Sequence, residues 1–173
     1  MREYITEIDR WLENGKPFSA ATVINTWGSA PRPIGTMMFV GPELEMLGSV
    51  SGGCVEGVVL KEAEETSNNN KIKNLKFGVS DNDAWSVGLT CGGTIEIFLE
   101  KFVAYDAPEI WQALRNNLLE NKSCVLISKL SGETGKHYLV YPNGTTLGET
   151  PAELVTAAQA AYQERKSQGV EAA

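Results

Sequence analysis

Apolar positions along the chain alternate between two periods, and the switches mark the elements. Ile5, Ile8, Trp11 and Leu12 fall at helical spacing, and Gly15 follows as a stop. Residues 18–25 read as a buried strand, 36–40 as a second with a turn at Gly41-Pro42, and 46–50 as a third. Between the first two lies Gly28-Ser29-Ala30-Pro31-Arg32-Pro33, a loop because its prolines remove donors and fix φ. From 53 to 66 the pattern turns helical, with Val55, Val58, Val59 and Ala63 on one side, and an asparagine-rich solvated loop at 67–71 follows. Residues 72–79 predict a strand, Ser80-Asp81-Asn82-Asp83 a turn, and 94–102 a strong alternating strand. Asp106 can cap a helix over 107–121, with Pro108 and Glu109 suiting its first turn. Residues 123–130 and 136–141 pair as a hairpin, and Thr150-Pro151-Ala152-Glu153 reads as a capping box opening a last helix to about 168.

The layout repeats itself. Trp11-Leu12-Glu13-Asn14-Gly15-Lys16 is echoed by Leu118-Leu119-Glu120-Asn121-Lys122, each leading from a helix into a strand. Phe39-Val40-Gly41-Pro42 is echoed by Val140-Tyr141-Pro142-Asn143, and Leu47-Gly48 by Leu147-Gly148. The expectation is one α/β (α+β) domain over 1–173, a mixed sheet flanked by helices. It is built from two α-β-β-β-α halves, about 3–66 and 109–166, with a central strand segment at 72–102.

A shorter repeat sits inside the first. Gly48-Ser49-Val50-Ser51-Gly52-Gly53-Cys54-Val55-Glu56 aligns with Gly88-Leu89-Thr90-Cys91-Gly92-Gly93-Thr94-Ile95-Glu96 at an offset of 40 residues. Gly-Gly lets the backbone turn through positive φ or approach another group closely, and helix-start N–H groups there are expected to be open to an anion. The second half carries no counterpart of Ser-Ala-Pro-Arg or Ser-Gly-Gly-Cys, so the chemistry is expected in the first half and the central segment. Neither Gly-Gly segment matches a nucleotide-binding fingerprint.

Composition narrows the ligand. The chain has 173 residues, 42% hydrophobic and 21% charged, with a net charge of −7. That balance argues against nucleic acid or an anionic membrane surface as partner, while leaving room for a locally positive pocket. No apolar run approaches a membrane span and no signal peptide is read at the N-terminus. Three cysteines with no Cys-x-x-Cys, and one histidine, fit a reducing cytoplasm better than a structural zinc site.

Cys54, beside a helix start, and Cys91, before Gly92-Gly93, are the reactive candidates. Soft thiolates suit molybdenum, copper(I), zinc or persulfide sulfur. Cys124, inside an apolar run, reads as core. Arg32, between two prolines, suits bidentate recognition of phosphate or carboxylate. Glu56 reads as a cap for the early helix and Glu96 as an outward strand residue. His137 is expected on the surface or packed in its hairpin, apart from the loops, and Asp81 and Asp83 to belong to a turn. Trp27 and Trp85 flank the loops as candidate pocket walls. The thiols could also serve as an acid/base pair, as in cofactor-independent epimerases, but they are not at equivalent repeat positions. A module that only docks onto a partner chain is a third alternative.

Gly28-Ser29-Ala30-Pro31-Arg32, Gly35-Thr36-Met37-Met38, Gly48-Ser49-Val50-Ser51-Gly52-Gly53-Cys54-Val55-Glu56-Gly57 and Gly88-Leu89-Thr90-Cys91-Gly92-Gly93 together resemble the XdhC/CoxI family of xanthine dehydrogenase accessory factors. The resemblance implies a cytoplasmic chaperone, not a turnover enzyme, that binds the molybdenum cofactor (molybdopterin) as cargo. It implies help in the cofactor's sulfuration by a cysteine desulfurase and its insertion into a molybdenum hydroxylase apo-enzyme. Carried onto this chain, the motif residues are Arg32, Ser51, Gly52, Gly53, Cys54, Glu56, Cys91, Gly92 and Gly93, with Cys54 and Cys91 as candidate thiolate ligands. Longer members continue into a Rossmann-like domain, which is expected here on a separate chain or not at all; a homodimer is also plausible.

Overall fold

The structure is a computed structural model and describes residues 1–30, 32–78 and 93–170. Helix α1 (Ile5–Glu13) opens the chain, and buries Ile5, Ile8 and Trp11 as its spacing predicts. Strands β1 (Ser19–Trp27), β2 (Met37–Val40) and β3 (Met46–Gly48) follow, then helix α2 (Glu56–Asn69) and strands β4 (Lys73–Phe77) and β5 (Thr94–Lys101). These five strands form one sheet in the order β3-β2-β1-β5-β4. After helix α3 (Pro108–Glu120), strands β6 (Val125–Lys129), β7 (Lys136–Val140) and β8 (Thr146–Leu147) form a second sheet in that order, and helix α4 (Ala152–Glu164) closes the chain.

Every pairing among the described residues is antiparallel. The fold is therefore α+β, and the expected single mixed sheet is two antiparallel ones. Sequential strands joined by short turns pair antiparallel without needing a crossover. Runs of helix, strands and helix occur twice, as α1-β1-β2-β3-α2 and α3-β6-β7-β8-α4, with β4 and β5 between them in sequence.

The core has two parts. Val55, Val59 and Ala63 of α2 and the segment before it pack onto Ala21, Val23, Val40, Ile95, Ile97 and Leu99 on one face of the first sheet. The alternation of β5 sends its odd-numbered side chains to this face. A second cluster joins α1, α3 and the second sheet through an aromatic group. There Phe102 stacks on Phe18 with ring centroids 4.7 Å apart and meets Trp111 edge-on at 4.8 Å. Arg115 on α3 grips Asp9 on α1 through two nitrogens, at 2.8 and 2.6 Å, and pins the helices together.

Two expected caps are absent. The residue before α3 is Ala107, without a side-chain cap, and Asp106 instead accepts a hydrogen bond from Asn70 at 3.2 Å. The capping box at Thr150 is not formed: the Thr150 hydroxyl donates to the Gly148 carbonyl, and Pro151 stands at the cap position of α4. The asparagine-rich stretch is partly helical, because α2 runs on to Asn69 and stops at Asn70 in the left-handed region.

Candidate functional site

The Ser-Gly-Gly segment folds around one carboxylate. Glu56 is the first residue of α2, and its side chain turns back over the loop that precedes it. One carboxylate oxygen accepts the Ser49 hydroxyl at 2.6 Å and the N–H groups of Ser51 at 2.9 Å and Gly52 at 3.1 Å. The other accepts the Ser51 hydroxyl and the N–H groups of Gly53 at 2.9 Å and Val55 at 3.2 Å. Gly52 and Gly53 reach this shape with φ of +85° and +120°, which explains the pair. Consecutive N–H groups turned inward make an anion nest, and here the anion is part of the chain.

This corrects one expectation from the sequence. The donors predicted to be open to a ligand are filled by Glu56. Burial alone would push the Glu56 carboxyl up. The Ser49 and Ser51 hydroxyls and the Ser51 N–H outweigh it and hold the group down at about 2, so it stays charged at neutral pH. The Glu56 carboxylate bonds the N–H groups of Ser51, Gly52, Gly53 and Val55, ahead of α2, so Glu56 braces the loop, while the cap position of the helix, Val55, has no side-chain cap.

Cys54 rides on the braced loop. Its N–H donates to the Ser51 hydroxyl at 3.0 Å, and its half-buried side chain packs against the core beneath α2. Ser51 is buried, whereas Gly52 and Gly53 are exposed.

Arg32 lies on the other side of Ser49. It is exposed and makes no hydrogen bond or ion pair among the described residues. With Glu3, Tyr4, Thr36, Gly48 and Ser49 it lines a groove of about 390 Å³. Glu3 and burial push the Tyr4 phenol up and the Arg32 guanidinium pulls it back, so the cation is felt at the groove's wall. Ser49 belongs to both structures: it lines the groove, donates to Glu56 and accepts from the Gly52 N–H at 2.8 Å. The sequence offered little signal for it, because its repeat partner is Leu89 and a hydroxyl is not common to the two copies.

Gly93 is buried where the second Gly-Gly segment meets the Gly28 loop. A Cβ there would stand 2.9 Å from the Trp27 carbonyl oxygen and 3.1 Å from the Ala30 nitrogen. Both are backbone atoms with little freedom to yield. Gly93→Ala is therefore expected to cost about 1–3 kcal/mol. The urea midpoint should fall at an unchanged slope, and an unchanged midpoint would show that the loops part freely.

Cys91 and Gly92 lie outside the described residues, as do Asp81, Asp83 and Trp85. Trp27 is exposed at the end of β1. Glu96 bonds Asn25 at 3.4 Å and pairs with Lys76 at 3.3 Å, as a strand residue turned outward should. Cys124 is half-buried in the aromatic cluster, and burial pushes its thiol up, against a hydrogen bond with Asn117. Among the described residues no three His, Cys, Asp or Glu side chains converge on a metal site, and no helix is long and apolar enough to cross a membrane.

The braced loop and the Arg32 loop fall within a segment that matches a family model. Residues 11–78 match the XdhC and CoxI family. The matched segment holds Arg32, Ser49 and the whole Glu56 brace. Among curated relatives, the molybdenum cofactor insertion chaperone PaoD of Escherichia coli is 34% identical over 91 residues, 52% of this chain and 28% of that one. A probable xanthine dehydrogenase subunit of Bacillus subtilis is 24% identical over 153 residues, 87% of this chain and 45% of that one. A crystal structure described as a xanthine dehydrogenase from Bacillus halodurans shares the fold, with a TM-score of 0.68 at 24% identity, over 85% of this chain and 45% of that one. The chain thus spans less than half the length of these relatives.

Proposed function

We propose that this chain is a cytoplasmic accessory protein that binds the molybdenum cofactor as cargo and serves the maturation of a xanthine-dehydrogenase-type hydroxylase. The observation that carries the reading is the link through Ser49 between a groove holding an arginine with no ion pair among the described residues and a Glu56-braced loop bearing a cysteine. Arg32, Ser49 and the braced loop lie within the segment that matches the XdhC and CoxI family, and the relative named as a molybdenum cofactor insertion chaperone aligns with this chain. A thiol, a guanidinium and several hydroxyls match a cofactor that has soft sulfur chemistry at one end and a phosphate at the other. When bound, the cofactor supplies the molybdenum centre and its sulfurs. The chain supplies Cys54 and Cys91 as soft donors, Arg32 as the cation, and the Ser51-Gly52-Gly53 turn as a rigid frame.

The handling of sulfur places a cysteine desulfurase and the apo-enzyme among the partners in this proposal. A separate Rossmann-domain chain and a second copy of this chain are further candidates. The proposal also keeps the chain as one domain of two related halves, about 3–66 and 109–166, around a central segment at 72–102. The repeated helix–three strands–helix order supports it.

The test is a titration of reduced, anaerobic protein with molybdenum cofactor, followed by absorbance. Wild type should bind, and Cys54→Ala, Cys91→Ala and Arg32→Ala should each weaken binding about tenfold or more. Absence of binding by wild type, or equal binding by all three variants, would sink the proposal.

A further inference from the structure

One hairpin turn is built twice in this chain, with a single telling difference. The β2–β3 tip closes through the Gly41 N–H on the Glu45 carbonyl at 2.8 Å and the Leu44 N–H on the Gly41 carbonyl at 3.0 Å. The β7–β8 tip closes in the same way, Tyr141 N–H on the Thr145 carbonyl at 2.9 Å and Gly144 N–H on the Tyr141 carbonyl at 2.8 Å. The equivalent residues Leu44 and Gly144 are both left-handed, with φ of +62° and +83°. Glycine takes that backbone freely, whereas an L side chain there is crowded by its own carbonyl. The other left-handed non-glycine residues described, Asn70, Asn121 and Arg165, end helices. Leu44 alone carries this strain in a hairpin, with its side chain 43% exposed and that of Met46, two residues on, 48% exposed. Neither backbone preference nor core burial accounts for a leucine here, and strain kept beside exposed apolar surface is a mark of a binding site.

Leu44 forms one wall of a slot of about 200 Å³ between this tip and α2, with Pro17, Val40, Pro42 and Ala63 as further apolar walls. That volume is below the range of small-molecule pockets and suits one long side chain. The charges at the mouth select its kind. Lys16 lies 3.8 Å from Glu43, and Arg10 lies 3.8 Å from Glu45, so each cation near the tip already faces a carboxylate. Glu64, exposed on α2 and lining the slot, has no ion pair among the described residues. The mouth therefore holds one carboxylate more than its cations match. We propose that the slot receives a lysine or arginine side chain from a partner protein, its methylene stem against Leu44 and its charged head at Glu64. A second copy of this chain would set one acidic mouth against another, between bodies that each carry a net charge of −7. The same net charge draws a basic partner surface in. None of the slot's residues lines the Arg32 groove, so this surface stands or falls independently of cofactor binding.

The experiment is an NMR titration of the whole, isotope-labelled chain with the peptide acetyl-Gly-Leu-Arg-Leu-Gly-amide and with its counterpart bearing Glu in place of Arg, at low salt because the carboxylate is exposed. The arginine peptide should shift the backbone amides of 41–46 and 64–68, and the glutamate peptide should leave them in place. Glu64→Gln should weaken the arginine peptide about threefold, the loss of one exposed ion pair. Leu44→Gly should weaken it about fivefold or more, through the lost apolar wall. The same Leu44→Gly change should raise the urea midpoint, because glycine relieves the turn, so weaker binding cannot be put down to a damaged fold. Glu133→Gln, on the β6–β7 turn, should bind as wild type does. Absent shifts, shifts centred elsewhere, an equal response to the two peptides, or a lowered urea midpoint in Leu44→Gly each overturns the inference. Shifts of the same amides that grow with protein concentration alone would put a second copy in the slot and overturn the basic partner.

Discussion

Glu56→Ala should be among the most destabilising single substitutions outside the core, costing about 3 kcal/mol or more. Six donors converge on that carboxylate. Those of Gly52 and Gly53 are on an exposed turn and can be re-solvated. The N–H and hydroxyl of Ser51 are buried and would lose their acceptor, while the Val55 N–H keeps the Ser51 hydroxyl at 3.1 Å. In a chain of 173 residues this corresponds to a fall in Tm of about 6–12 °C. Glu56→Gln separates shape from charge. One side of the amide can still accept from the Ser49 hydroxyl and two N–H groups, while its NH2 would face the three donors on the other side. The variant should therefore lose nearly as much stability as Glu56→Ala, despite being almost isosteric. A Gln variant as stable as wild type would show that the nest does not require an anion.

The same carboxylate sets an acid limb. Its folded value, about 2, lies below the ordinary 4.5 of the unfolded chain. A depressed carboxylate contributes stability that is complete above the unfolded value and disappears as pH falls through the folded one. The window is therefore about pH 4.5 down to 2, and the contribution is on the order of 2–3 kcal/mol. Unfolding free energy measured across that window should fall in wild type, and the slope should be shallower in Glu56→Gln. Parallel curves for the two proteins would refute Glu56 as the titrating group.

The elements of this fold were readable because period and punctuation agree along most of the chain. The apolar spacing of α1, the alternation of β5 and the hairpin of β6 and β7 all lie where their residues indicate. The caps misled because Ser, Thr and Asp side chains compete for several backbone partners, and tertiary neighbours decided the outcome. Asp106 is taken by Asn70, and Thr150 by a local carbonyl. In the site, the glycines and Ser51 are visible as a motif, but the sequence cannot show which way Glu56 turns. Glu56 lies three positions after Gly53, close enough for the side chain to fill the very donors that the motif advertises. The groove was partly visible through Arg32, while Tyr4, Thr36 and Ser49 come from three separate segments. Only folding brings them together.

The buried pair between the sheets was less legible still, and it carries the other large expected effect. His137 on β7 lies 3.1 Å from Glu100 on β5, with side chains only 2% and 5% exposed. The other ring nitrogen of His137 is 3.1 Å from the Ser128 hydroxyl on β6. The contact is therefore a seam between the five-stranded and three-stranded sheets, and Gly135 covers it at a distance no side chain would permit. The Glu100 oxygen facing His137 has no hydrogen bond of good geometry, so the pair is held by proximity and burial. Removing one partner strands the other polar group in the interior, where the loss exceeds anything the contact itself supplies. Glu100→Ala and His137→Ala should each cost about 3 kcal/mol in urea unfolding. Glu100→Leu with His137→Leu should cost much less than the sum of the single changes, because neither polar group is then stranded. Strict additivity would mean that the two side chains do not couple, and that the sheets are joined by their apolar contacts alone. If coupling is found, the seam explains why a lone histidine in a hairpin, with no signal in its own segment, is buried. Its partner lies 37 positions earlier, on an alternating strand whose buried residues on that stretch are otherwise apolar.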